Sequence, residues 1–286
     1  MVSFHSLRAN HAVHAVANQY LLAVILNYAL TLEHLEDTFY RTGLANFTEA
    51  DFAAAGADST VYNNIKRIAK DEAAHVDFLT KGLKAAGATP VAACQYNFGV
   101  TDAKTFLATA SILEGVGVSA YLGAAADIMS KTYLTAAGSI LTVEARHSSY
   151  IRANLKQAPF AQPFDTPLSI NEVYSLASQF ITSCPKENPA LPVKAFPVLS
   201  GSVDGKTVKL ATPNYTLKAP EGGKVYAAFI AVTGPTFVEA TAVDGGFTAQ
   251  IPDGFAGQTY VVLTSCKEAV TDDTVAAGPA IIEIAN

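Results

Sequence analysis

A chain of 286 residues, half of them hydrophobic and only 15% charged, can bury a large core, which excludes a disordered polymer. Its formal charge of −6 leaves no basic stripe to neutralise phosphates, so a nucleic-acid partner is excluded and docking on an anionic membrane is disfavoured. Its three cysteines, Cys94, Cys184 and Cys266, are far apart and form no Cys-x-x-Cys, which removes thiolate zinc and dithiol redox chemistry.

The opening residues, MVSFHSLRAN, lack the basic region and apolar run of a cleavable signal peptide. Residues 10–42 carry an apolar stripe at helical spacing through Leu22, Leu26, Ala29 and Leu30 to Glu33. A loop through Asn46 and Gly56 follows, with Phe47 and Phe52 expected against the body of the protein. Ser59 or Thr60 is the expected cap of a second helix ending near Leu83, closed by Gly87 and Pro90. The stretch from Gly87 to Val100 is long enough to cross a helical bundle. Thr101 or Asp102 opens a third helix to about Met129. A turn over Lys131–Ala136 leads into a fourth that stops before Pro159. Ser169, with Glu172 three residues on, forms a capping box for a fifth helix ending near Cys184.

The third helix, FLATASILEGVGVSAYLGAAADIM, is long enough to span a bilayer and has Gly115, Ser119 and Gly123 at four-residue intervals. Glu114 near its middle and the absence of a flanking Lys/Arg cluster favour a buried core helix instead, with no membrane span. Gly115 and Gly117 read as close-approach positions at a helix interface. Composition changes at PKENPALPVKAFP (185–197), where four prolines in thirteen residues make an extended linker. Short β-rich runs follow, KVYAAFIAV, TFVEATAV, GFTAQI, QTYVVLTSC and AIIEIA, separated by Gly-Pro, Asp-Gly-Gly and Pro-Asp-Gly signals. The expected organisation is a mainly α chain: a helical bundle over 1–184, the linker 185–197, and an immunoglobulin-like antiparallel β-sandwich over 198–286. That last part contains no His and no catalytic constellation.

Chemistry concentrates in the bundle. Glu-x-x-His occurs twice, at Glu72/His75 and Glu144/His147, and each copy follows a helix carrying Glu in an apolar stretch, Glu33 and Glu114. A spacing of three places Glu and His one turn apart on one helical face. The order Glu, Glu-x-x-His, Glu, Glu-x-x-His is what a four-helix bundle needs to hold two metal ions. Four carboxylates and two neutral imidazoles suit two divalent cations, and buried without them the same charges would be costly. Glu114 is flanked by Ile112, Leu113, Val116 and Val118, which leaves it little polar surface to occupy. Glu36 lies three residues past Glu33 and is an alternative or supporting ligand. Tyr28, Tyr40, Tyr121 and Tyr150 lie on the same helices, and nothing in the sequence distinguishes them from packing residues with satisfied hydroxyls. His11 and His14 are the weaker material of an accessory site.

The segments NYALTLEHLEDTFY (27–40), KDEAAHVDFL (70–79), ILEGVGVSAYLGAA (112–125) and LTVEARHSSYIR (141–152) resemble the ferritin-like domain of fungal stress-regulated and plant desiccation-related proteins. They resemble ferritins, rubrerythrins and manganese catalases more distantly. The resemblance covers about residues 10–185. It implies Glu33, Glu72, His75, Glu114, Glu144 and His147 as ligands of two iron or manganese ions, with Glu72 and Glu144 bridging, Glu33 and Glu114 terminal, and one His on each metal. It also implies that Asp71 orients a ligand histidine from behind. Val143 stands at the equivalent place in the second motif, so a symmetric support is not expected.

Hard oxygen donors favour iron or manganese over copper or structural zinc. Three readings follow: an oxidoreductase acting on dioxygen or hydrogen peroxide, with or without a small organic substrate; a ferroxidase or iron-binding stress protein; and a secreted structural or adhesive protein with a vestigial site. Homo-oligomerisation is open, although an appended β-domain disfavours a ferritin cage. A secreted or cell-wall location is expected, with glycosylation at the sequons Asn46-Phe-Thr and Asn214-Tyr-Thr. In an oxidising compartment Cys94–Cys184 is the favoured disulfide; three free thiols are the alternative.

Overall fold

The computed structural model describes residues 4–219 and 223–285, with side chains from Tyr20 onward. Four long helices build the bundle: α1 (Phe4–Asn46), α3 (Ser59–Ala85), α4 (Ala103–Ala124) and α5 (Lys131–Asn154). α1 packs along α3 and α4 along α5, and contacts of α1 with α4 and of α3 with α5 close the ring. Side-chain caps fix where the helices begin. Asp58 caps α3 through Val61 N–H, Asp102 caps α4 through Thr105 N–H, and Ser130 caps α5, each satisfying an orphan donor of the first turn.

Several boundaries differ from the sequence reading. The α3 cap is Asp58, one residue before the expected Ser59. Lys131–Ala136 is the first turn of α5, because Ser130 already provides a cap; the turn lies just before it. The expected loop after α1 holds a short helix, α2 (Glu49–Ala54), capped by Thr48, and it carries Phe52 into the core. α6 (Ile170–Ala177) has the Ser169/Glu172 capping box but stops well before Cys184. Residues Ile181–Ser183 form β2 instead and pair with β1 (Gln95–Tyr96) in the connection between α3 and α4. Beside this ladder Cys94 and Cys184 form a disulfide, leaving Cys266 free. The proline-rich stretch has no helix or strand and is pinned to the α3–α4 connection and to α6: Asn188 exchanges hydrogen bonds with Ala92 at 2.8 and 2.9 Å, and Phe196 N–H donates to Ser175 Oγ at 2.8 Å.

The C-terminal part is not a pair of facing sheets. Seven antiparallel strands, β3 (Ser200–Asp204), β4 (Thr207–Ala211), β5 (Val225–Phe229), β6 (Thr236–Val243), β7 (Gly246–Gln250), β8 (Gly257–Thr264) and β9 (Val275–Ile284), form one sheet in the order β3-β4-β7-β6-β5-β8-β9. Its two end strands, β3 and β9, pack against each other, so the sheet curls into a nearly closed barrel. Curling replaces the expected sandwich because β6 pairs with β5 along its first half and with β7 along its second, which joins what would have been two sheets.

Period-two alternation then assigns two buried faces. Ala227, Phe229, Val261 and Leu263 fill the barrel, while Ala228, Ile230, Tyr260 and Val262 belong to the core shared with the helices. β8 is thus covered on both sides, which explains its unbroken apolar run. Tyr260 donates its hydroxyl to Gly115 O at 2.9 Å and accepts from Ser119 Oγ at 3.0 Å. A bidentate pair of Arg152 with Glu283, at 2.8 and 3.0 Å, joins α5 to β9. α4 lies between the other helices and the sheet, and that burial accounts for its membrane-like composition.

Candidate metal centre

Glu33, Glu72, Glu114 and Glu144 project into the middle of the bundle, one from each long helix, and all four have 0% exposure. Two groups form there. Glu33, Glu72, His75 and Glu144 make the first; Glu72, Glu114, Glu144 and His147 make the second. Within each group one donor atom per residue lies within 4.8 Å of all the others. Glu72 and Glu144 belong to both, while Glu33 with His75 and Glu114 with His147 sit at opposite ends.

His75 Nδ1 lies 3.1 Å from Glu72, 3.3 Å from Glu33 and 3.3 Å from Glu144. His147 Nδ1 lies 3.0 Å from Glu72 and 3.4 Å from Glu114, with its Nε2 turned to Asp71 at 3.2 Å. Asp71 thereby fixes the orientation of His147, and Val143 offers His75 nothing equivalent.

Whether these residues suit metal ions can be judged from their unmet bonding. Glu33 Oε2, Glu72 Oε1, Glu114 Oε2, both Glu144 oxygens and His147 Nδ1 are buried without a hydrogen-bond partner. Several lie close to one another, but none of these six has hydrogen-bond geometry. Buried polar atoms are rarely left this way, and six converging on one volume are the lone pairs that cations would take. The donors fit two divalent ions.

Protonation points the same way. Burial, reinforced by the charge of Glu144, pushes Glu72 up to about 7, and burial with the charge of Glu114 pushes Glu144 up to about 8. Burial alone would lower the imidazoles, but the surrounding carboxylates outweigh it and hold His75 up to about 12 and His147 up to about 11. Without metal the cluster retains protons where cations would otherwise neutralise it.

Two residues indistinct in the sequence are integral to the site. Tyr40 donates its hydroxyl to Glu114 Oε1, and Tyr121 donates its hydroxyl to Glu33 Oε1, both in short hydrogen bonds. Each tyrosine lies seven residues after a terminal glutamate, two turns along the same face, and reaches across to the other helix's glutamate. The repeat of Glu and Tyr at this spacing in both halves was the available signal. Gly117 is the other missed position: a Cβ there would lie 2.9 Å from Glu144 Oε2 of α5 and 3.0 Å from Glu36 Oε1 of α1, so at this helix interface the space of its missing side chain is bordered by two carboxylates. Gly115 likewise faces Gln258 of the sheet.

Glu36 is buried beside the cluster but belongs to neither group. Burial and the charges of Glu144, Glu72, Glu33 and Glu114 hold its carboxyl well above the usual range. Asn46 and Asn214 are exposed at the protein surface. His11 and His14 lie outside the described side chains.

Residues 22–157 match the family described as the ferritin-like domain. That match covers the four-helix bundle and just under half of the chain. Protein rds1 of Schizosaccharomyces pombe (strain 972 / ATCC 24843) is 28% identical over 215 residues, which cover 74% of this chain and 52% of the relative; the chain thus spans about half the length of that protein. Among solved structures, the conserved hypothetical protein rv2844 from Mycobacterium tuberculosis is similar at 19% identity and a TM-score of 0.42, covering 51% of this chain and 99% of its own. The ferritin-like domain and the buried Glu/His cluster agree on a site suited to two metal ions.

Proposed function

We propose that this ferritin-like protein is an oxidoreductase whose two iron or manganese ions react with dioxygen or hydrogen peroxide. One observation carries the reading: Glu72 and Glu144 each belong to both donor groups, while a separate Glu–His pair completes each end. Ions bound in the two groups would share two carboxylates, and such a pair supplies two-electron exchange with an oxygen species.

The chain's own residues set the conditions for that exchange. Tyr40 and Tyr121 hold the terminal carboxylates Glu114 and Glu33, each leaving the second oxygen free toward the centre. Asp71 fixes His147. Phe39, Phe52 and Phe106 form an aromatic layer above Tyr40 and help exclude water. Glu36, beside Glu144, is placed to hold a proton next to the shared carboxylate.

A secreted or cell-wall location belongs to the proposal and is supported by the Cys94–Cys184 disulfide and the exposed Asn46 and Asn214 of the two sequons. The test is reconstitution with ferrous iron and with manganese, followed by assays of peroxide consumption, dioxygen uptake and ferrous-ion oxidation. Turnover of peroxide or dioxygen supports the proposal. Ferrous oxidation alone with iron retained selects the iron-binding alternative, and no turnover with either metal selects a structural role.

A further inference from the structure

The bundle and the barrel form between them a partly open cavity of about 260 Å³, lined by α1, α4, α6, β3 and β9. Its walls are largely apolar, with Leu176 from the helices facing Ile281 from the sheet, and Ile112 and Gln179 lie on its solvent-exposed rim. At its floor are Glu36 and Gly117. Glu36 is 4% exposed and makes no hydrogen bond among the described residues, so the one carboxyl group in this lining has only the pocket to turn to for a partner. Gly117 supplies the connection to the centre: the missing Cβ would sit 3.0 Å from Glu36 Oε1 and 2.9 Å from Glu144 Oε2. The chamber floor therefore reaches the carboxylate common to both donor groups.

We propose that this cavity binds a small, mostly apolar organic molecule with one hydroxyl-type end, seated with that end on Glu36. A cavity of ~150 Å³ accepts benzene, so on the same ratio this one takes about ten heavy atoms. A hydroxyl both donates and accepts, and so satisfies the carboxyl in either protonation state. The sheet gains a role as the outer wall of a ligand chamber. The inference rests on the metal-centre reading only for what becomes of the ligand; binding itself does not require the metals.

The probe is 1-octanol, titrated calorimetrically into the full chain in metal-free and metal-loaded forms. Saturable binding to both forms is expected. Ile281→Trp, which fills the chamber from the sheet side, should weaken it at least tenfold with the circular dichroism spectrum retained. Glu36→Leu should weaken it about tenfold, the loss of one hydrogen bond. Ile112→Trp at the rim gives the same test should the Ile281 variant not fold. Absence of octanol binding to the native chain, or equal binding by native and folded Trp variants, overturns the proposal. Metal content, measured on the same samples, separates the two failures. Octanol binding by a chain that takes up no metal defeats the metal reading alone, and metal uptake without octanol binding defeats only the chamber.

Discussion

Glu144→Gln tests the shared-carboxylate geometry through two independent readouts. Glu144 is fully buried and belongs to both donor groups, so the variant should lose both metals. Stability should move the opposite way. The Glu144 carboxyl is raised from 4.5 to about 8, burial being the main cause, so at pH 7 it stays protonated when folded and ionises when unfolded. A carboxyl with a raised folded pKa favours folding fully below pH 4.5, and that contribution is lost as pH rises towards 8. Over the roughly 2.5 units from the unfolded pKa to pH 7 the penalty is about 3 kcal/mol. Gln keeps the shape without the proton linkage. The metal-free variant should therefore be about 3 kcal/mol more stable than the metal-free native chain at pH 7, on the order of 5–10 °C in Tm, with the gain vanishing near pH 4.5. Denaturant or thermal melts across pH 4.5–8, with chelator present, measure it. A variant that is less stable at pH 7, or one that still binds two metals, refutes the reasoning.

Glu114 belongs to one group only, so Glu114→Gln should bind a single metal ion where the native chain binds about two, counted by elemental analysis. Tyr121→Phe removes a hydrogen bond to Glu33 Oε1 and should weaken metal binding at the Glu33/His75 end by about tenfold, visible as a second, looser step in a competitive chelator titration; equal affinity at both ends would count against the tyrosine's role. The Cys94–Cys184 bridge closes a span of 90 residues, so Cys94→Ser should cost up to about 4 kcal/mol. In the native chain only Cys266 should alkylate under denaturing, non-reducing conditions, and modification of three thiols would contradict the bridge.

The helical half was legible because its signals are local. Two Glu-x-x-His motifs at helical spacing, and Glu114 set in an apolar segment, specify a bundle interior that gathers carboxylates and imidazoles without any knowledge of the packing. The β-part was legible only as strands. Period-two runs and turn residues mark them, but whether they face one another as two sheets or curl into one depends on how β6 divides its edge between β5 and β7, a long-range choice with no local signature. Tyr40 and Tyr121 were hidden for a related reason: each satisfies a glutamate on a different helix, and only the paired seven-residue spacing hints at it. Gly117 reads as a packing glycine until the oxygens of Glu36 and Glu144 are seen where its side chain would be. The end of α6 at Ala177 was missed because the chain leaves the helix to pair with β1, a partner more than eighty residues earlier.

The most direct test of the central claim is elemental analysis of protein purified without chelators, repeated after loading with ferrous iron and with manganese. About two ions per chain, falling to about one in Glu114→Gln and to none in Glu144→Gln, is the result the geometry of the two groups predicts. Native protein that holds neither metal after loading would contradict it and leave the six residues as a buried cluster neutralised by protons alone.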